Sequence, residues 1–502
     1  MQAEHLAELQ VLRGAKSKNS DQATRRYEAV KEDCRKYIVE KNDKDGMIKR
    51  GYNKNTAKKF IVKYVMEQNP LVDGFVTNGE AKTNDLINKL TEDLTDRGKL
   101  TVPIEDDSIY EIQVNGRDIL IEQGGKVKRL RDKSGNLVRF ESPEEQQIVL
   151  SRLLGDVRLN PKDCIVSGST IEGYRIEAIH SSAIGKDPSN AKNDGYSIFV
   201  LRKFKKDKYR LPELVKKKTL SDNMARFLSL LPRGEAAFST WGPTRTGKST
   251  TNNAILLSTP LEKRVILLQN PSEIDLRITD DEGNIINNVV HLEAREVENA
   301  TAKDPTMINL EYAILRLSPE IVCFGEMRTN KEIALGLQIA EAGHAINLTG
   351  HAMDSAGAMQ RCGTACNAET GEPTEVVIRK WCNVMDVIIV QHIMADGTRK
   401  IVQITEVLGV SEKDLTKPDL RDIYVFKEDG NVIYDENGDV EDLGGTHVRV
   451  GKISDRIIQK FRRAGIPKRY YEFLMEDVNE EEEETYLGES VDMVVKGGVE
   501  KL

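Results

Sequence analysis

Short apolar runs separated by helical stretches set the pattern in the middle of the chain. Ala236–Trp241, Arg264–Leu268 and Ile321–Phe324 each predict a strand, with few polar positions to mark an exposed face, as in sheets covered on both sides. Thr250–Leu257 reads as a helix between the first two. Strands and helical segments keep alternating to about residue 410, which predicts a parallel α/β sheet over 232–410.

The pattern differs on either side. From 61 to 203 it predicts a smaller mixed α+β domain. Thr83–Arg97 is amphipathic at helical spacing, Tyr110–Gly116 alternates like a strand ending in a turn, and Ile119–Gly125 is its hairpin partner. Further strands are expected at Tyr174–Ile179 and Ser197–Arg202. Residues 1–60 carry both signs of charge with little apolar periodicity and read as a charged helical extension. Residues 204–231 read as a basic linker leading into helices over Leu214–Leu231. Residues 411–502 read as a carboxy-terminal extension with turns at Asp429-Gly430 and Asn437-Gly438, a helix over Ile453–Ala464 and an acidic tail. There is no internal repeat.

Composition narrows the class. With 502 residues the chain is long enough for two or more cores. Charged residues make up 31% and aromatics 5%, and no stretch reaches the length and apolarity of a membrane span. The first residues do not resemble a signal peptide, so a cytoplasmic location is expected. A net charge of −8 makes nucleic acid an unlikely partner. The charge is uneven, with a lysine-rich stretch over 203–218 and the acidic run Glu480–Glu484, both expected to be solvated. Cys362, Cys366 and Cys382 lack a fourth zinc ligand at standard spacing and are expected to be reduced, buried thiols.

The chemistry centres on Gly242-Pro243-Thr244-Arg245-Thr246-Gly247-Lys248-Ser249, followed by Thr250, a complete G-x-x-x-x-G-K-[ST] loop between strand and helix. The glycines let backbone N–H groups turn towards phosphate oxygens where a Cβ would obstruct. Lys248 is expected to reach the β- and γ-phosphates and Ser249 to offer its hydroxyl to Mg²⁺, with the helix adding its positive end. ATP and Mg²⁺ are thus the expected ligands. Such a loop needs an acidic partner at a strand end. Ile321-Val322-Cys323-Phe324-Gly325-Glu326 provides one, and Glu326 is expected to orient or deprotonate water against the γ-phosphate.

These residues carry a specific resemblance. Leu315-Arg316-Leu317-Ser318-Pro319-Glu320, continuing through Gly325-Glu326-Met327-Arg328, resembles the Walker B signature of the type II/type IV secretion and pilus ATPase superfamily. Asn288–Arg295 resembles the segment before it, Ala342-Gly343-His344 with Thr349-Gly350-His351-Ala352 the histidine box, and Asp396-Gly397-Thr398-Arg399 onward the strand pair closing the domain. Glu111–Gly116 and Ile198–Phe204 resemble the amino-terminal domain of the tight-adherence pilus branch. The similarity covers roughly 105–410.

The resemblance implies a RecA-like P-loop domain preceded by the smaller domain, a hexameric ring, and an inner-membrane platform protein as partner. It implies ATP hydrolysis that powers pilus assembly, secretion or conjugative transfer. Arg175 and Arg202 become candidates to approach the phosphates, or else to pair with carboxylates. His351 becomes a candidate sensor of the γ-phosphate or a structural histidine, and Arg328 a candidate either to brace the Glu326 loop or to touch nucleotide. The chain departs from the family at Arg245, where positive φ would be costly. It departs again where E-D-x-x-E is matched by Gln269-Asn270-Pro271-Ser272-Glu273, leaving Glu273 as the carboxylate of that box. Two amides in place of carboxylates raise a second expectation, a nucleotide-gated scaffold with weak hydrolysis. A nucleic-acid translocase is a third, suggested by the basic stretch.

Overall fold

The computed structural model describes residues 26–44, 54–77, 80–124, 126–154, 159–170, 174–185, 195–203, 209–270, 274–280, 282, 284–294, 301, 303–436, 438, 440–478 and 482–488. The chain divides into two compact units, 1–206 and 207–502. Among the described residues no helix is long and apolar enough to cross a membrane.

In the first unit, helices Tyr27–Lys44, Lys54–Gln68 and Thr83–Thr95 bury Val30, Ile38, Ile61, Val65, Leu86 and Leu90 in a common cluster. A separate core lies under a six-stranded antiparallel sheet in the order Lys126–Arg129, Asp118–Gln123, Ile109–Asn115, Ile198–Arg202, Arg175–Ile179, Ile165–Ser169. The helix Pro143–Leu154 shares this core through Leu150 and Leu153, with Ile112, Val114, Ile176 and Leu201 from the strands.

The second unit is built on one ten-stranded sheet. Its order is Val289–Glu293, Val265–Gln269, Ile321–Phe324, Ala345–Gly350, Phe238–Trp241, Val387–Ile393, Arg399–Val410, Pro418–Lys427, Thr446–Arg449, Glu482–Glu483. The first six strands are parallel and the rest antiparallel. Alternate residues of one strand serve opposite cores. Val265 and Leu267 pack on one face with Phe238 and Cys323, and Ile266 and Leu268 on the other with Trp241 and Phe324. This two-sided burial explains why these strands read as unbroken apolar runs. The strand with a phosphate-binding loop at its end thus lies inside a parallel sheet flanked by helices, which is the RecA-like α/β arrangement.

Two segments read as peripheral belong to this unit's interior. After residue 210 the basic stretch forms helices Leu211–Lys216 and Asp222–Arg233, which bury Leu211, Leu214, Val215, Phe227 and Leu231. Lys216, Lys217 and Lys218 lie exposed beyond that apolar face. Residues after 410 continue the sheet, and the helix Asp455–Arg463 buries Ile457, Ile458 and Phe461 in the same core. Nor is Glu484 solvated. It is buried and accepts from Ser221 Oγ at 2.8 Å. Beside it, buried Asp222 accepts from Thr485 Oγ1 at 2.8 Å and from the backbone N–H groups of Leu487 and Gly488, each at 2.7 Å.

Candidate nucleotide site

The parallel strands end together, with Phe324 opposite Leu348 and Gly350 opposite Trp241. That register brings the residues following each strand, Gly242, Glu326 and His351, to one edge of the sheet, where open α/β sheets bind ligands.

The phosphate loop fits a phosphate chain. Gly242 has φ +148° and Gly247 φ +93°. A Cβ on Gly242 would stand 2.0 Å from the Gln391 carbonyl oxygen, so only glycine lets the loop lie against that strand. Gly247 caps the helix Lys248–Leu256 with no side-chain bond to its first N–H groups, which an anion can accept from. Lys248 Nζ is gathered into the loop, donating to the carbonyls of Gly242 at 3.0 Å and Pro243 at 2.8 Å. Thr246 is buried and donates to Pro243 O, whereas Thr244 is exposed and Ser249 and Thr250 are half-buried at the helix start. Mg²⁺ at the Ser249 hydroxyl would neutralise phosphate charge, taking its other ligands from phosphate and water. Among the described residues no group of three or more His, Cys, Asp or Glu is placed to hold a metal by itself.

Arg245 does adopt positive φ, +65°, and its side chain is exposed. For a non-glycine residue this costs of order 1–3 kcal/mol. Part of what holds it is Arg399, whose Nε donates to Arg245 O at 3.1 Å.

Glu326, Arg328 and His351 form one cluster. Glu326 Oε2 accepts from Arg328 Nε at 2.9 Å, and Oε1 lies 2.8 Å from His351 Nε2. Nδ1 of His351 faces Gly242 O at 3.2 Å and Lys248 Nζ at 3.4 Å. The imidazole therefore links the acidic residue directly to the phosphate loop. Burial pushes the Glu326 pKa upward, but the hydrogen bonds and charges of Arg328 and His351 outweigh it and hold the carboxyl below its ordinary value. Arg328 is thus engaged with Glu326, and its own N–H, like that of Thr329, is held by Glu332 Oε2 at 2.7 and 3.0 Å. Thr329 and Glu332 form a capping box at the helix Asn330–Glu341, so the turn carrying Glu326 is fixed from below. That Thr-x-x-Glu signature was visible in the sequence, and its part in the site was not inferred from it.

Beneath the loop, Asn252 and Asn347 exchange side-chain hydrogen bonds, and Asn347 Nδ2 lies 2.8 Å from Asn252 Oδ1, fully buried. This pair joins the phosphate-loop helix to the strand that ends at His351. The other histidine, His344, faces Pro319 O through Nδ1 at 2.9 Å and so lies at the opposite end of that strand.

The amide box is placed differently from expectation. Gln269 is fully buried and clamps the backbone of Ile274, accepting from its N–H at 2.7 Å and donating to its carbonyl at 2.9 Å. A carboxylate cannot supply the second bond. Gln269→Glu is therefore expected to lower the thermal midpoint by several degrees and to leave nucleotide turnover no faster, as differential scanning fluorimetry and a phosphate-release assay would read. Glu273 lies outside the described residues. Arg175 and Arg202 belong to the first unit, directly opposite each other on adjacent strands, and Arg202 pairs with the buried Glu111 at 3.1 Å. Cys362, Cys366 and Cys382 are buried thiols whose pKa values burial raises.

A phosphate loop, a strand-end glutamate and a histidine between them define a P-loop nucleotide-binding protein. Residues 95–422, more than half of the chain, match the family described as Type II/IV secretion system protein, and the chain belongs to that family, one of ATPases. An uncharacterized protein of Methanocaldococcus jannaschii is 26% identical over 248 residues, 49% of this chain and 40% of that protein, so the chain spans under half the length of that relative. Among solved structures, the Legionella pneumophila ATPase DotB is 19% identical, with a TM-score of 0.42 over 60% of this chain and 77% of its own. The VirB11 ATPase from the Brucella suis type IV secretion system is also 19% identical, with a TM-score of 0.30 over 61% of this chain and 91% of its own.

Proposed function

We propose that this chain is an ATP-hydrolysing motor that works as a homo-oligomeric, hexameric ring and drives secretion, pilus assembly or conjugative transfer with an inner-membrane platform protein. Its place would be the cytoplasm, at the membrane periphery, and we assign it to the tight-adherence pilus branch. The observation that carries the reading is the His351 bridge, with Glu326 on one ring nitrogen and the phosphate loop on the other. A group placed there meets the γ-phosphate of any nucleotide held by the loop. Lys248 and Ser249 with Mg²⁺ hold the phosphates, Glu326 orients the attacking water, and His351 reports whether the γ-phosphate is present. We further propose Arg175, Arg202 and Glu273 as candidates for contact with the nucleotide.

The depressed Glu326 pKa favours orienting water over taking its proton, because a weak base has little proton-accepting drive near neutral pH. Together with Asn270, an amide where the family has a carboxylate, it supports the second reading, a nucleotide-gated scaffold that hydrolyses slowly. Steady-state phosphate release with the full chain separates them. A motor turns over ATP in the usual range of about 1 s⁻¹ or faster, and Lys248→Ala abolishes both turnover and ATP binding. ATP binding without turnover leaves the scaffold. Turnover unchanged in Lys248→Ala defeats both.

A further inference from the structure

We propose that Arg399 is a nucleotide-contacting residue, and that it reads the α-phosphate from the side of the phosphate loop opposite Glu326. This inference rests on the nucleotide site proposed above and extends it.

The sheet order sets the direction of the ligand. Phe238–Trp241, which leads into the loop, has Ala345–Gly350 on one side and Val387–Ile393 on the other. His351 follows the first of these, with Glu326 one strand beyond, so the hydrolysed end of the phosphate chain belongs on that side. The nucleoside end must leave the loop away from it, towards Val387–Ile393 and its antiparallel partner Arg399–Val410.

That strand pair is pressed against the loop. A Cβ on Gly247 would stand 3.0 Å from Arg399 Cδ and 3.3 Å from Gln391 Nε2. Gln391 is buried, and its Oε1 has no hydrogen-bond partner among the described residues. This is an uncompensated acceptor beside the loop, costly unless a hydrogen-bond donor such as a nucleoside hydroxyl comes to it. The turn between the strands is fixed, since Asp396 Oδ1 accepts from Thr398 N–H and Oγ1–H at 2.7 and 2.6 Å. Gly397 takes the left-handed conformation there, φ +81°. Arg399 is therefore delivered to the loop by a stiff hairpin. Its Nε–H bonds the Arg245 carbonyl, and the planar guanidinium fork beside the loop suits phosphate oxygens.

The test compares ADP with inorganic pyrophosphate by titration calorimetry on the full-length chain. Pyrophosphate fills the β- and γ-positions and lacks the α-phosphate and nucleoside. Arg399→Ala is expected to weaken ADP about tenfold or more and leave pyrophosphate within about twofold. Arg399→Gln keeps a donor for the Arg245 carbonyl but loses the charge, and is expected to do the same. Equal weakening of both ligands in both variants overturns the proposal, because Arg399 would then only hold the loop in shape. Unchanged binding of both also overturns it. Wild-type protein that binds neither ligand overturns the nucleotide site itself, a distinct result from either variant outcome.

Discussion

Glu326→Gln is expected to lower ATP turnover by about 10²–10⁴-fold, the span a positioned acid or base contributes, while ATP affinity stays within about threefold. The amide still reaches His351 and Arg328 but cannot carry charge towards the attacking water. The pH profile adds a second reading. A carboxyl held below its usual value by Arg328 and His351 stays ionised through neutral pH and is protonated only as the pH falls through that lowered value. Activity is therefore lost on the acid side, below the range of an ordinary glutamate. Whatever stability the ionised group contributes is present above its unfolded value and lost over the same acid interval. Arg328→Ala removes one of the two groups depressing it, so the acid limb should move to higher pH. Wild-type and variant profiles, measured as turnover against pH, check the direction.

The second large effect concerns folding. Glu311 lies on the helix Met307–Ile314, fully buried, and neither carboxyl oxygen has a hydrogen-bond partner among the described residues. Burial, helped by the nearby charge of Glu332, pushes its pKa up to about 9. A raised carboxyl is protonated in the folded chain while the unfolded chain has already ionised, so stability falls as pH rises from about 4.5 towards about 9. The slope approaches about 1.4 kcal/mol per pH unit at most. Glu311→Leu, which replaces an unpaired carboxyl with an apolar group of similar volume, is expected to raise the thermal midpoint at pH 8 and much less at pH 5. A gap that does not widen with pH shows that Glu311 is not held protonated.

Much of the fold and part of the site were legible in the sequence, for physical reasons. Val265–Gln269 and Ile321–Phe324 announce themselves because both faces are buried, so apolar character has no gaps. The phosphate loop is legible because its glycines are demanded by backbone, as Gly242 against the Gln391 carbonyl demonstrates. Glu326 follows from its strand. What escaped depends on partners distant in sequence. Gln269 looks like a lost carboxylate until Ile274 is placed across from it. Arg399 belongs to a motif, but nothing in the motif says that its side chain crosses to residue 245. Residues 411–488 are rich in turns and charge and read as an appendage, because antiparallel edge strands expose one face and so lack a continuous apolar signal. Glu311, inside an apolar helix, carries no local mark of its burial.

Asp222 opens the second helix of the second unit's core, and the groups that satisfy it lie at residues 485, 487 and 488, 263 or more positions later. A ribosome delivers those partners only after the strands of the nucleotide-binding sheet up to residue 449. Throughout synthesis of the nucleotide-binding sheet, a carboxylate that ends up buried must therefore stay hydrated, and the core around it cannot close. Synthesis through residue 488 then acts as its own checkpoint. A product cut short within the acidic run would hold every residue of the phosphate loop, yet keep an unsealed seam open to proteases and chaperones.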